Sequence, residues 1–455
     1  MDTVLVVDST GRGHALCDLF TRTNPDMTVY YGPGCDVIDH PRIVPVPAIS
    51  LTDPDTALEF LAGRPVGLVF VSNIDALSVG YVDRLRQAGH RVVGPTAAAA
   101  ALESSKSRGK EFCADHGIPV PEFEVFTDPA KAKEYLRQLP YQCVVKTDGL
   151  TPDGDGSVVC DSTADAEAAV DRFAEEFGDT LALIVEERLT GQEISVFALL
   201  DGEHAMLFPT ALDYKRTLEG DAGKNCDGMG SVAPHPNDSP ELRDELRAAL
   251  IDPLVRGLRA EGLDFTGFVY VGAILTPRGP VAIEINARFG DSEAEVVLPG
   301  VSSDFTLLCE AVLAGELPDH ELVTDGLDRC SVALVQGCLD PASPEAAVGW
   351  PFGPFAVDQP VTGLDRPAAD DVSVFCANVR RDATGTPRTA GGRVLHVVGT
   401  GATPALARDR AYDRIGSISF PGMRYRTDIG AAPAATTVTY AEAAGVTAGT
   451  APTRK

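Results

Sequence analysis

One segment constrains this chain more than any other: Val281-Ala-Ile-Glu-Ile-Asn-Ala-Arg-Phe-Gly-Asp-Ser-Glu-Ala-Glu-Val-Val297. Its first half is an apolar run interrupted by Glu284 and Asn286, which predicts a strand. Side chains alternate across a strand, so Glu284, Asn286 and Arg288 project from one face. Burying three such groups is costly unless they have work to do. A carboxylate and a carboxamide two positions apart offer hard oxygen ligands to Mg2+ or Mn2+. Arg288 on the same face can hold a phosphate or carboxylate through paired N–H bonds. Phe289-Gly-Asp-Ser-Glu293 then turns away and adds Asp291 and Glu293, two acids suited to an ammonium group. The plainer alternative is a buried strand with a polar edge and a solvated turn.

At 455 residues the chain exceeds one core, and two to four domains are expected. Its formal charge of −28 disfavours nucleic acid and anionic membranes as partners, since both require a basic surface. No apolar run approaches the ~20 residues of a membrane span, and the N-terminus has no signal-peptide pattern. Ten scattered cysteines form no Cys-x-x-Cys pair, which argues against zinc and dithiol chemistry and suits a reducing cytoplasm.

Read in order, Val4–Val7 predicts a strand, Asp8-Ser-Thr-Gly-Arg-Gly-His14 a glycine turn, and Ala15–Thr21 a helix. Strand-like Gly67–Val71 and Arg91–Val93, with a helix at Val79–Ala88 between them, continue a β/α alternation typical of an open parallel sheet. With only Gly11 and Gly13, the first turn is a poor dinucleotide site. A small α+β unit follows. It comprises Tyr141–Lys146, the turn-rich loop Asp148–Gly156, Ser157–Cys160, a helix at Thr163–Phe177 and Leu181–Val185. Next come strand-like Ile194–Leu200, a polar loop from Asp213 to Gly230, a long helix at Pro240–Glu261, and a strand at Gly267–Leu275 pairing with the metal strand. Short strands follow from Val332, a helix at Pro404–Ile415, and an Ala-Thr-Pro-Gly-rich tail from Ala431 that reads as disordered.

Glu284-x-Asn-x-Arg-Phe-Gly-Asp291 resembles the metal-binding end of ATP-grasp ligases, and among them the phosphoribosylamine–glycine ligases, over nearly the whole chain. The resemblance implies an α/β and α+β multidomain ATP-grasp fold. Its parts would be an N-terminal parallel-sheet domain at 1–103, an ATP-grasp domain at 104–330 with a lid at 121–190, a β-rich domain at 331–430 and the tail at 431–455. It places Lys106 and Lys146 on the phosphates of ATP. Glu186, Glu187 and Leu189 become a hinge whose backbone pairs with adenine, and Glu193 an acceptor for the ribose hydroxyls. Asp213-Tyr-Lys-Arg216 and Gly220–Gly230 resemble the family's Asp-His-Lys-Arg and glycine-rich elements. This puts Lys215, Arg216 and Arg288 at the reacting phosphate, and Asp213, Asn225, Asp291, Glu293, Gly11 and His14 around the substrates. Glu284 and Asn286 would hold Mg2+ or Mn2+. The implied reaction joins a small carboxylate, an amino acid, to an amine through an acyl phosphate, in a cytoplasmic monomer or homodimer.

Several positions depart from the family. Its first loop reads Gly-Ser-Gly-Gly-Arg-Glu-His where this chain has Asp8-Ser-Thr-Gly-Arg-Gly-His14, so an acid stands where the phosphorylated amine is received. Val71–Leu77, Asp153–Gly156, Gln336–Leu339 and Cys376–Val379 also differ, whereas Thr389–Val394 and Ile418–Met423 fit. Because the departures cluster on the amine side, the expectation is a ligase with a different amine or amino acid in a specialised pathway. An ordinary phosphoribosylamine–glycine ligase and a non-catalytic nucleotide-binding regulator are the alternatives.

Overall fold

Five short runs rich in β-branched residues form the first sheet, ordered Ile43–Pro45, Thr28–Pro33, Thr3–Asp8, Leu68–Val71, Val92–Val93, with every pairing parallel. Val4 to Val7 are fully buried, as a parallel sheet covered on both faces requires. The strand order reverses around Thr3–Asp8, and a crevice opens at the carboxyl ends of this strand and of Leu68–Val71. The structure is a computed structural model and describes residues 2–140, 142–150, 156–178, 181–339, 352–366 and 369–431. The tail expected from 431 and the loop 151–155 therefore lie outside the described residues, apart from Ala431.

Two local expectations change. The first helix spans Gly11–Thr23, so the glycine turn forms its opening turn. Gly13 is packed there, since a Cβ would stand 2.5 Å from the Tyr31 hydroxyl and 2.6 Å from the Asp8 Cβ. The helix expected at Val79–Ala88 is instead Ile74–Ser78 and Tyr81–Gln87, divided at Gly80 with φ of +81°.

A second unit, the antiparallel sheet Phe123–Phe126, Leu183–Glu187, Cys143–Thr147, Ser157–Cys160, carries the helices Pro129–Leu136 and Thr163–Phe177. Val145, Val170, Phe173 and Leu183 lie in a small core of its own. A third sheet runs Ala205–Leu207, Gln192–Leu200, Gly267–Thr276, Gly279–Asn286 and carries the segment with Glu284.

The last large sheet runs Leu212–Asp213, Gly230–Ala233, Asp328–Gln336, Arg393–Gly401, Val372–Cys376, with the helix Pro404–Ile415 packed on it. Its first two strands come from the segment expected to belong with residues 104–330, so this sheet crosses the expected boundary. The polar loop expected at 213–230 contains a two-stranded ribbon, Arg216–Leu218 with Ala222–Asn225. Distant groups hold it: Arg426 donates to the Arg216 carbonyl and to Asp221, both at 3.0 Å, and Asp428 accepts from the Gly220 N–H at 2.8 Å. No helix among the described residues is long and apolar enough to cross a membrane.

Candidate active site

A cavity of about 720 Å³ lies where the crevice, the third sheet and the second unit meet. Glu284 opens into it from the strand Gly279–Asn286. Opposite Glu284 stands Gly272, where a Cβ would come within 2.8 Å of Glu284 Cγ, so the missing side chain makes room for the carboxylate. Lys215 Nζ donates to Glu284 Oε1 at 3.1 Å and stands 3.9 Å from Glu193. Burial would raise the Glu284 carboxyl, but Lys215 and then Lys146 hold it at about 2, so it is ionised. Asn286 is 8% exposed and its Nδ2 has no hydrogen-bond partner. Because amide orientation is an assignment, the same carboxamide can turn its oxygen to the cavity. An anionic carboxylate beside an uncommitted carboxamide fits a divalent cation.

Lys106 begins the helix Lys106–Asp115 and donates to the Gly149 carbonyl. Burial, followed by the charge of Lys146, lowers its pKa, which reflects two cations facing one space. Lys146 is 2.6 Å from Glu186 Oε1, and Lys110 pairs with the other Glu186 oxygen. The buried Glu186 side chain is thus the shared counter-ion of two lysines, separate from the backbone role expected of it at the hinge. The Glu187 N–H donates to the Glu122 carbonyl at 2.8 Å and its carboxylate pairs with Arg278 at 3.1 Å. Neither these two glutamates nor the half-buried Leu189 is among the residues lining the cavity, whereas Glu193 is.

Arg288 reaches Glu103 at 2.8 Å, and the second Glu103 oxygen accepts the Ala287 N–H at 2.7 Å. Against burial, Glu103 and Glu293 push the guanidinium pKa upward and fix its charge. Asp213, Asn225, Asp291 and Glu293 complete the far wall. Asp213 accepts from Ser292 Oγ at 3.3 Å, and Glu293 accepts from Ser195 Oγ at 3.0 Å. Burial and then the Glu293 charge push Asp213 well up, and burial raises Glu293 too, so this wall is poised to take a cationic group. Ser292 has φ of +101°, a strained conformation for a residue with a side chain, at the turn that carries both acids.

Three further expected residues are not brought to the cavity wall. Arg216 lies on the ribbon and donates to the Gly223 carbonyl at 3.0 Å. Gly11 is packed against Glu295, where a Cβ would meet Oε1 at 2.3 Å. His14 accepts the Cys376 N–H at 2.9 Å and meets the Phe375 ring edge-on, fastening the first helix to the last large sheet. Burial lowers its pKa to about 3, so it is neutral.

The sequence matches three successive family domains: phosphoribosylglycinamide synthetase N domain over residues 2–103, ATP-grasp (A) domain over 104–294 and C domain over 345–432. The chain belongs to the phosphoribosylglycinamide synthetase family. It is 40% identical to the phosphoribosylamine–glycine ligase of Chlorobaculum tepidum, over 94% of this chain and 99% of that one. It is 37% identical to the ligase of that name from Caulobacter vibrioides, over 94% and 97%. The crystal structure of phosphoribosylamine–glycine ligase from Thermotoga maritima superposes with a TM-score of 0.76 at 26% identity, covering 94% of this chain and 99% of that chain. The biotin carboxylase domain of Hydrogenobacter thermophilus 2-oxoglutarate carboxylase, at 15% identity and a TM-score of 0.68, shares the fold. The chain is therefore an ATP-grasp ligase of the ADP-forming, carbon–nitrogen bond-forming class.

Within this synthetase family, Asp8 stands where the first-loop pattern has glycine, and Gly13 where it has glutamate. The structure explains the exchange. Asp8 is fully buried and accepts from the Ser9 and Thr10 N–H groups at 2.7 and 2.8 Å, from Ser72 Oγ at 2.8 Å and from Arg12 Nε at 3.0 Å. Its carboxylate is engaged on both oxygens, so the repulsion expected toward a substrate phosphate does not arise. Gly13, where a Cβ would stand 2.6 Å from the Asp8 Cβ, leaves room for that side chain.

Sequence reasoning missed Glu103, Lys110, Glu295, Arg393 and His396. Each sits in an ordinary-looking helix or strand, and only pairing across the fold gives it a charge partner. Arg393, within a stretch that fitted the family, was the nearest to being found: it lines the cavity and donates to the Asp291 carbonyl at 3.2 Å.

Proposed function

We propose that the protein is a phosphoribosylamine–glycine ligase, coupling ATP cleavage to amide formation between glycine and phosphoribosylamine. The observation that carries this reading is the opposition, in one cavity, of the Glu284–Asn286–Lys146–Lys106 wall to the Asp213–Glu293–Asp291 wall, with Arg288 and Lys215 between them. A glycine carboxylate oxygen attacks the γ-phosphorus, ADP leaves, and an acyl phosphate forms. The amine nitrogen then attacks the acyl carbon, phosphate leaves, and the nitrogen gives up its proton. Lys106 and Lys146 offset phosphate charge, while Glu193 meets the ribose and the backbone at 186–189 meets adenine. Arg288 aligns the carboxylate and Lys215 the migrating phosphoryl group. Asp213, Glu293 and Asp291 hold the ammonium of glycine, and Asn225 sits beside them. Glu284 and Asn286 would hold a divalent cation, Mg2+ or Mn2+, which would supply charge neutralisation at the phosphates. Arg216, Gly11 and His14 act through packing.

The departures that cluster on the amine side, Asp8 among them, point to a different amine. The internal bonding of Asp8 and the 37–40% identity to curated ligases favour the ordinary substrate pair instead. A cytoplasmic monomer or homodimer accompanies the proposal. The test supplies ATP, glycine and phosphoribosylamine and measures ADP and glycinamide ribonucleotide together. Equal yields are expected. ADP release only with another amine would return the specialised reading, and none with any pair would favour a regulator.

A further inference from the structure

Beside the substrate end of the cavity, three side chains meet from segments far apart in the chain. Asp291 and Glu295 follow the Glu284 strand, and His396 comes from the strand Arg393–Gly401. His396 Nε2 is 3.4 Å from Asp291 Oδ1 and 3.7 Å from Glu295 Oε1, and one ligand atom from each residue lies within 4.8 Å of the other two. Glu295 and His396 are 0% exposed, yet Asp291 Oδ1, Glu295 Oε1 and His396 Nε2 have no hydrogen-bond partner of acceptable geometry. Their remaining atoms are committed: Glu295 Oε2 accepts the Ser292 N–H at 3.1 Å, and His396 Nδ1 is 3.4 Å from Ser331 Oγ. Arg393 stands 3.5 Å from Asp291 Oδ1, but it donates to the main-chain carbonyls of Asp227, Gly228 and Asp291. One guanidinium faces two carboxyl groups, and burial followed by the Asp291 charge pushes Glu295 upward. Buried polar atoms without partners are rare in folded proteins, and three aimed at one point ask for an occupant.

We propose that Asp291, Glu295 and His396 form a second divalent-cation site, selective for a transition ion such as Co2+ or Zn2+. The donor set decides the class, because imidazole suits these ions, whereas Mg2+ prefers oxygen and water. The spacing agrees: bonds of about 2.0–2.2 Å place neighbouring donors roughly 3.0–3.5 Å apart, close to the two separations above. Gly11 closes the opposite side, where a Cβ would lie 2.3 Å from Glu295 Oε1 and 2.9 Å from His396 Cδ2. Three protein ligands leave a position open, and Asp291 is the member that lines the cavity. An ion here would tie the last large sheet to the turn carrying Asp291 and Glu293, and present a Lewis acid to a substrate oxygen. The site stands whether or not the amine assigned above is correct.

The test titrates CoCl2 into the full-length, nucleotide-free protein in excess MgCl2 and reads the visible absorption of the bound ion. We expect one equivalent per chain, not displaced by Mg2+. His396→Ala should abolish it, and the shape-preserving Glu295→Gln should weaken it at least tenfold. Glu284→Gln, which alters only the nucleotide cation site, should titrate like the wild type. Should His396→Ala fail to fold, Glu295→Gln decides. Absence of stoichiometric uptake by the wild type, uptake indifferent to both cluster variants, or loss in Glu284→Gln would each overturn the proposal.

Discussion

The two ends of the cavity are built in opposite ways. At the nucleotide end, opposite charges are already paired: Lys110 and Lys146 share Glu186, and Lys215 holds Glu284. At the substrate end, like charges are crowded: Asp213 lies with Glu293, and Asp291 with Glu295. The first arrangement keeps every group ionised without a ligand, which suits a site that must receive a triphosphate and a cation. The second leaves Asp213, Glu293 and Glu295 pushed up by burial first, while against burial Arg393 and His396 hold Asp291 down. An incoming cationic group or ion therefore relieves the raised acids. One end is preorganised and the other waits for its occupant.

The largest effect should come from breaking the paired end. Glu186→Gln removes the one carboxylate shared by buried Lys110 and part-buried Lys146, and losing one partner of a buried pair costs about 3–5 kcal/mol. Denaturant unfolding should register that loss together with a raised KM for ATP. An unchanged midpoint would mean the pairing is not preorganised. Next, Asn286→Ala should lower kcat/KM for ADP formation about 10²–10³-fold while leaving the melting temperature nearly unchanged. Glu284→Ala should do the same with a small stability loss, since its pair with Lys215 is partly exposed. Parallel loss of fold and activity would blur the distinction between the two ends.

Asp8 offers a sharper, smaller test. Gly13→Glu alone drives a side chain into Asp8 and Tyr31, and overpacking of this kind costs about 1–3 kcal/mol. Adding Asp8→Gly recreates the family's arrangement and should recover most of the loss. If the double variant is no better than the single one, the space left by Gly13 is not what accommodates Asp8. A last test, whose effect is small near neutrality and grows in acid, concerns pH. His14 and His235 are lowered by burial to about 3 and about 4 from an ordinary value of 6.5, so the native state resists protonation that the unfolded chain accepts. Stability is then complete above pH 6.5 and falls as the pH drops toward 4, by roughly 1.4 kcal/mol per pH unit for each histidine. His14→Gln should remove one proton's share of that slope in denaturant titrations.

The same contrast governs what could be read from the sequence. Glu284, Asn286 and Arg288 were legible because strand alternation places neighbours in sequence on one face, and Lys146 because it ends an apolar run. The helices Thr163–Phe177 and Pro404–Ile415 were found at their full extent because caps and periodicity are local. The substrate end joins residues 8–13, 213, 291–295 and 393–396, and no local pattern announces that they meet. The error over Asp8 has the same root. An acid in a glycine turn looked like a charge facing substrate, when Ser72 and Arg12 were waiting to bind it. The ribbon at 216–225 was missed because Arg426 and Asp428, about 200 positions away, hold it in place.

The most direct measurement follows oxygen. With glycine labelled by 18O in its carboxylate, ATP and phosphoribosylamine, attack on the γ-phosphorus must carry one labelled oxygen into the phosphate released at the second step. The account predicts one 18O per phosphate at each turnover. Unlabelled phosphate alongside amide product would mean that the carboxylate is not phosphorylated in this cavity, and would contradict it.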